Sequence, residues 1–264
     1  MDGQEINSTP ATEPSKPLVL IPVMAEDVER RKRKVVFAWI AGALALALVI
    51  WFIYRRSIDP LHAQESYDAG VRLIQATRYE EAILNFDRTI DLKPDFADAY
   101  RLRGKAYMAE TKPDAAIPDF TKVAQMRPAD PEPLVERGFA YLDKKDYAKA
   151  IADADRALAL NTRLGRAYNL RATALRATGD LQKALADFTR AVELEPNLDN
   201  YFQRASTYQQ LNQHKLAVTD FDQAVGFVPD QAHTYFARAQ SKAAIGDTAG
   251  AKEDIQTGRK IEGW

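Results

Sequence analysis

Two patterns of hydrophobic and polar residues divide the chain. Residues 35–54 form an uncharged run of 20 residues, VVFAWIAGALALALVIWFIY. At about 1.5 Å per residue, this run predicts a helix of about 30 Å, the thickness of a membrane's hydrocarbon core. From residue 63 onward, apolar and small residues instead recur in short segments that end at turn residues, which predicts a series of amphipathic helices.

The flanks of the apolar run are typical of a signal anchor that is not cleaved. Trp39, Trp51 and Tyr54 lie toward its ends, where amphipathic rings favour the membrane interface. No small-residue cleavage site follows Tyr54, whereas a cleaved signal peptide has a shorter apolar region that ends at small residues. The run therefore predicts a single transmembrane helix.

The charges beside this helix predict its orientation. Five cations, at 30–34, precede it and only two, at 55 and 56, follow it. Because positive residues near a span are retained in the cytoplasm, we expect a cytoplasmic N-terminus and an exported C-terminal part. In a Gram-negative bacterium this part would lie in the periplasm, anchored in the inner membrane. The opposite orientation, with the C-terminal part in the cytosol, stays an alternative.

These features predict four segments with different roles. Residues 1–34 are expected to be a disordered tail, because their first part is rich in Pro, Ser, Thr and Glu, and this tail ends in the basic cluster. Residues 35–54 form the signal anchor and residues 55–62 a linker. Residues 63–264 form the folded part.

Alanine recurs at a nearly constant interval in this folded part. The interval is 34 residues, with one of 33, and the alanines are Ala82, Ala116, Ala150, Ala184, Ala217 and Ala251. Twelve residues before each alanine stands Gly or Ala, which allows two helices to approach closely. The interval predicts six helix–turn–helix units, at 63–96, 97–130, 131–164, 165–197, 198–231 and 232–264.

This unit resembles the tetratricopeptide repeat (TPR), whose 34-residue signature has Gly or Ala at position 8, Ala at 20, Phe at 24 and Pro at 32. In the first unit these positions are Gly70, Ala82, Phe86 and Pro94. The resemblance covers residues 63–264. It implies an all-α fold, a superhelical TPR solenoid of six repeats behind the N-terminal transmembrane helix.

A charge pair accompanies the repeat. Position 7 is Arg in five units and position 23 is Asp in the same five, while the first unit has Ala69 and Asn85 instead. Position 7 belongs to the first helix and position 23 to the second. We therefore expect an ion pair between packed helices, at Arg103–Asp119, Arg137–Asp153, Arg171–Asp187, Arg204–Asp220 and Arg238–Asp254.

Composition argues against several functional classes. The chain has no cysteine, which excludes disulfides and thiolate chemistry, and its three histidines have no metal-ligand spacing. No phosphate-binding loop or hydrolase motif is present, so we expect no catalytic residues, no metal and no cofactor. Residues 57–264 carry a net charge of −3, which does not favour nucleic acid.

The expected binding surface follows from the resemblance. In similar proteins, positions 5, 9 and 12 of each first helix line a concave groove, and large apolar groups rimmed by polar ones are typical of contact surfaces. Arg101, Lys105 and Arg176 add cations there without an acid, so the partner segment is expected to have apolar and acidic character. The predicted groove residues are Tyr67, Val71, Ile74, Arg101, Lys105, Met108, Val135, Phe139, Leu142, Asn169, Arg176, Phe202, Gln209, Phe236 and Gln240.

The leading hypothesis is a membrane-anchored scaffold or adaptor whose groove binds a segment of a partner protein and recruits or assembles a complex at the membrane. An organellar receptor with cytosolic repeats and a non-catalytic subunit of a membrane enzyme complex are the alternatives. Membrane lipid would contact the anchor. Small residues four apart, such as Ala38 and Gly42, leave open self-association through the transmembrane helix.

Overall fold

The structure is a computed structural model that describes the backbone of residues 21–263 and the side chains of residues 27–51 and 60–263. Residues 1–20 of the tail predicted at 1–34 lie outside the described residues. The chain separates into two compact units, Met1–Ile58 and Asp59–Trp264.

All regular secondary structure of the described residues is α-helical. The helices are α1 (Ile21–Gln75), α2 (Tyr79–Leu92), α3 (Ala97–Ala109), α4 (Pro113–Met126), α5 (Glu132–Asp143), α6 (Tyr147–Leu160), α7 (Gly165–Ala177), α8 (Leu181–Leu194), α9 (Leu198–Gln210), α10 (His214–Phe227), α11 (Ala232–Ala244) and α12 (Thr248–Ile261). The end of α1 with α2, and each later pair of helices, forms one repeat.

Helix α1 contains the hydrophobic run. Its segment Asp27–Trp51 has 25 residues and contains an 18-residue window with a mean hydropathy of 2.2, and its side chains are exposed. This segment is long and apolar enough to cross a membrane. The basic residues at 30–34 lie on the same helix and are exposed as well.

Helical backbone occupies two segments that the sequence predicts to be irregular. Disorder is predicted through residue 34, but α1 begins at Ile21. Residues 23–34 contain neither Gly nor Pro and consist largely of good helix formers, and Lys32 donates to Glu29 one turn away at 3.2 Å. The linker predicted at 55–62 is also helical, with Pro60 inside α1.

Within the second unit, a small residue of each first helix allows close packing against the second helix. A Cβ atom added at Gly70 would lie 2.7 Å from the ring of Phe86, and one at Gly104 would lie 2.7 Å from the ring of Phe120. Both rings are almost completely buried. The glycines are therefore required by the short distance between the paired helices.

The turn inside each repeat ends the first helix in the same way. Position 15 has a positive φ in every repeat, at Thr77, Thr111, Lys145, Gly179, Asn212 and Gly246. The next residue's N–H donates to the carbonyl five residues earlier, as from Arg78 to Leu73 at 2.9 Å. This is the Schellman motif, which satisfies carbonyl groups at a helix end.

The first helices of consecutive repeats approach one another, since α5 contacts α7, α7 contacts α9, and α9 contacts α11. The second helices α4, α6, α8 and α10 each pack between two first helices, as α6 does between α5 and α7. The first helices therefore form the inner side of the repeat stack, where the groove is predicted.

The ion pairs predicted from the repeat are confirmed in all five repeats that carry them. In each pair the Arg Nε and Nη2 atoms donate to the two carboxylate oxygens of the Asp, at 2.6–2.9 Å. The Asp residues are buried. Because the pairing is bidentate, it also fixes the orientation of the two helices in each repeat.

Candidate functional site

The structure places all fifteen predicted groove residues on the inner helices, but two of them are not accessible. Val135 is completely buried, and Asn169 is 7% exposed. Val135 belongs to the largest hydrophobic cluster, with Leu134 and Leu170. Its expected role as a contact residue is therefore wrong, because the next repeat covers position 5 of α5.

In the first repeat, the apolar groove residues mainly serve packing. The ring of Tyr67 stacks on that of Phe96, with ring centres 4.7 Å apart. Val71 and Ile74 pack on the hydrophobic cluster around Phe86. Burial, with a smaller contribution from Asp98, raises the pKa of Tyr67. These side chains are half-buried, so only part of each remains accessible.

Arg101 and Lys105 have an acidic partner that the sequence analysis did not anticipate. Arg101 Nε lies 2.9 Å from both carboxylate oxygens of Glu136, and Lys105 Nζ lies 3.0 Å from Oε1 of the same residue. The hydrogen bond to Glu136 raises the pKa of Arg101. Glu136 is at position 6 of the next repeat, outside the positions that define the predicted groove. The premise of unpaired cations is therefore wrong for these two residues.

The same network extends to the fourth repeat. Arg166 Nη1 lies 2.5 Å from Glu132 Oε2, and Glu132 also lies 3.8 Å from Arg101. The guanidinium of Arg166 lies 5.9 Å from the centre of the Phe139 ring. The two acids are more buried than Lys105 and Arg166, so this network mainly links the inner helices α3, α5 and α7.

Arg176 has polar partners but no carboxylate within ion-pair distance among the described residues. Its Nη atoms donate to the backbone and side-chain oxygens of Gln203, at 3.2 and 2.5 Å, and its guanidinium lies over the ring of Phe188. Burial lowers the pKa of Arg176, and the nearby Asp199 opposes this effect. The residue thus acts mainly as a link between α7 and α9.

Between repeats 3 and 5 the inner side contains an open cleft of about 460 Å³. Phe139 and Leu142 supply its apolar part and are half-buried. Its other lining residues are mostly polar: Asp143, Lys145, Tyr147, Asn169, Thr173, Ala177, Asp199 and Gln203. The cleft therefore combines an apolar surface with charged and hydrogen-bonding groups, as ligand sites do.

The polar side of this cleft is organised by hydrogen bonds between repeats 4 and 5 and within α9. Asn169 Nδ2 donates to Asp199 Oδ2 at 3.0 Å and to Asn200 Oδ1 at 2.7 Å. Gln203 Nε2 donates to Asp199 Oδ1 at 3.2 Å. Asn169 is therefore a positioning residue for Asp199, which is itself exposed.

The groove residues of the last two repeats are mostly engaged within the fold. Phe202 packs on Phe221 and on His233, with ring centres 5.4 and 5.0 Å apart. Gln209 donates to the carbonyl of Ala237 at 2.8 Å. Phe236 covers Gly258, while Met108 is half-buried and Gln240 is exposed.

Sequence reasoning missed Asp143, Lys145, Asp199 and Gln203 as cleft residues. They occupy positions 13, 15, 2 and 6 of their repeats, outside the positions 5, 9 and 12 chosen for the groove. No group of three His, Asp or Glu side chains that could hold a metal ion occurs in the part of the chain that the structure describes.

Comparison with protein families identifies the repeat. A model described as "TPR repeat" matches residues 70–110, and models described as "Tetratricopeptide repeat" match residues 131–164, 165–198 and 198–230. Together these segments cover more than half of the chain. A search of curated protein sequences gave no match.

Solved structures share the fold at low sequence identity. PilW, described as a type IV pilus biogenesis factor, is 18% identical with a TM-score of 0.68, over 75% of this chain and 92% of PilW. PilF of Pseudomonas aeruginosa is 14% identical with a TM-score of 0.66, over 77% of this chain and 93% of PilF. A chain of the APC/C hetero-tetramer Cut9–Hcn1 is 17% identical with a TM-score of 0.68, over 75% of this chain.

The chain spans only 40% of the length of that APC/C chain. At these identities the likeness supports the fold and not a shared partner. The repeat period, the paired helices and the four family matches agree with one another. The chain belongs to the tetratricopeptide repeat family.

Proposed function

We propose that this protein is a membrane-anchored scaffold that holds a segment of a partner protein on the inner side of its repeats and so recruits or assembles a complex at the membrane. The observation that carries the proposal is the open cleft beside Phe139 and Leu142. It exposes apolar surface next to polar groups on three neighbouring inner helices.

The polar contacts elsewhere in the groove hold the inner helices in place, which favours a binding function over a catalytic one. Arg101 and Lys105 are paired with Glu136, and Asn169 donates hydrogen bonds to Asp199 and Asn200. These contacts fix the inner helices relative to each other. A rigid surface loses little conformational entropy when it binds a partner, which favours affinity.

The proposal also includes a membrane anchor at the N-terminal end of the repeats. The segment Asp27–Trp51 supports a single membrane span, and the basic residues at 30–34 support an N-terminus retained in the cytoplasm. The repeats would then lie outside the cytoplasm, in the periplasm of a Gram-negative cell. There they could hold a soluble partner close to the inner membrane.

The scaffold function can be tested by site-specific photocrosslinking in native membranes. Benzoylphenylalanine is placed at Leu142 or Ala177 in the cleft, and at the exposed controls Lys122 and Gln182 on second helices. We expect adducts of one common mass from the two cleft positions and none of that mass from the controls. Equal adducts from all four positions, or adducts from the controls alone, would contradict binding in the cleft.

A further inference from the structure

The charges at the cleft indicate the chemistry of the partner segment. Two acids line the cleft, Asp143 and Asp199, against one cation, Lys145. Both acids are exposed, and neither forms an ion pair with a described Lys or Arg side chain within 4 Å. Arg176 is not a lining residue, because its guanidinium is directed to Gln203 and Phe188.

The two cations that suggested an acidic partner already have an acidic partner within the fold. Arg101 and Lys105 both contact the buried carboxylate of Glu136. An acidic ligand side chain would have to compete with Glu136, which is held at 2.8–3.0 Å from both cations. The cleft, in contrast, presents Asp143 and Asp199, two exposed acids that form no ion pair within 4 Å with a described cation; Arg176 acts on Asp199 only from beyond that distance.

The carboxylate of Asp199 can still accept hydrogen bonds from a ligand. Both of its carboxylate oxygens already accept one hydrogen bond, from Asn169 and from Gln203, and these hold the carboxylate in a fixed orientation. A carboxylate has about four acceptor positions, so two remain for a donor from a ligand. Asp143 forms no hydrogen bond or ion pair with another described side chain and is free to move toward a ligand.

The net charge of the folded part also favours a basic partner segment. Residues 57–264 carry 28 Lys and Arg against 31 Asp and Glu. A net negative charge attracts basic segments over distances up to about the Debye length, which raises their rate of association.

We infer that the cleft binds a peptide segment with an apolar side chain placed against Phe139 and Leu142 and a neighbouring Lys or Arg side chain placed against Asp143 and Asp199. This inference rests on the proposed binding function and names the chemistry of its partner. It replaces the acidic segment expected from the sequence.

The test selects displayed random 12-residue peptides on the full-length protein in lipid nanodiscs. Selections run in parallel on the wild type and on Ala177→Trp, which fills the cleft from an exposed position at the end of α7. Ala109→Trp is the matched control, since Ala109 is exposed at the same position of the second repeat and does not line the cleft. Circular dichroism melts check that both variants fold.

Some peptides will be recovered by the wild type and by Ala109→Trp but not by Ala177→Trp, and these require an open cleft. At positions next to an apolar residue, we expect these peptides to contain Lys or Arg about five times as often as Asp or Glu. Asp143→Asn and Asp199→Asn should each weaken the best of these peptides about threefold, the range of an exposed ion pair. Asp91→Asn, which removes an exposed acid from α2, should leave the affinity unchanged.

Two results would overturn the inference in distinguishable ways. Cleft-dependent peptides that are enriched in Asp and Glu, or that show no charge preference, would reject the basic partner and leave the docking function standing. Recovery of the same peptides by the wild type and by Ala177→Trp would reject the cleft as a docking site, and the proposed function with it.

Discussion

Arg171 donates two hydrogen bonds to Asp187, from Nε to Oδ2 at 2.7 Å and from Nη2 to Oδ1 at 2.8 Å. Its remaining Nη1 atom donates to Asp155 on the second helix of the preceding repeat, at 2.6 Å. One guanidinium therefore connects α7 with α8 and with α6. Arg103 and Arg238 make the same third contact, to Asp87 and Asp222. At these three arginines the Arg–Asp ion pairs thus link neighbouring repeats as well as the two helices of one repeat.

The first prediction concerns this link. Arg171→Ala leaves the buried Asp187 without its cation, so we expect the free energy of unfolding to fall by about 2–4 kcal/mol. Asp155 is 53% exposed, and Asp155→Ala should cost under about 1 kcal/mol. Denaturant melts of Arg171→Ala, Asp187→Ala and the double variant give the coupling energy. A coupling of zero within error would show that the bidentate geometry does not contribute to stability.

The second prediction concerns the turns. Thr77 and Thr111 have φ values of 56° and 54°, a region that β-branched residues rarely adopt. Glycine adopts it without the steric cost of about 1–2 kcal/mol, but it loses more chain entropy on folding. We expect Thr111→Gly to raise the stability by about 0.5–1 kcal/mol.

The reverse change is its control. Gly246 has a φ of 88° at the equivalent position of the last repeat, so Gly246→Thr should lower the stability by about 1 kcal/mol or more. Both variants are compared with the wild type by thermal melting. A lower melting temperature for Thr111→Gly would mean that the threonine side chain contributes more at this turn than its backbone conformation costs.

The third prediction concerns pH. Burial raises the pKa of Asp254, but the hydrogen bonds from Arg238 and Lys242 outweigh it and hold the pKa below the ordinary value of 3.8. A carboxyl group with a lower pKa in the folded state stabilises the fold above its unfolded pKa, and this stability is lost as the pH falls through the folded pKa. The melting temperature of Asp254→Asn should therefore lie below that of the wild type at about pH 7.

Below about pH 4 the difference between the two proteins should shrink. Glu253→Gln, at an exposed neighbouring position of α12, is the control and should follow the wild type throughout. A difference between Asp254→Asn and the wild type that stays constant from about pH 7 to about pH 3 would contradict the lowered pKa.

The sequence could predict contacts that lie inside one repeat and recur in the others. Arg171 and Asp187 recur with the period, so their pairing follows from the helix pair alone. Glu136 could not be identified as the partner of Arg101, because this contact joins two repeats and depends on the rotation between them. The burial of Val135 and the cleft beside Leu142 depend on the same rotation. A single-repeat pattern specifies which face is inward, but not how much of that face the next repeat covers.

The last prediction concerns the topology, which decides where a partner is encountered. The chain contains no cysteine, so single cysteines can report on each side of the membrane without background. Ser8→Cys places the thiol in the N-terminal tail, and Gln256→Cys places it at an exposed position of α12. If the basic residues at 30–34 hold the N-terminus in the cytoplasm, an impermeant maleimide added to intact Gram-negative spheroplasts should label Gln256→Cys only. Lysis should then expose Ser8→Cys as well. Labelling of Ser8→Cys in intact spheroplasts, with protection of Gln256→Cys until lysis, would place the repeats in the cytoplasm.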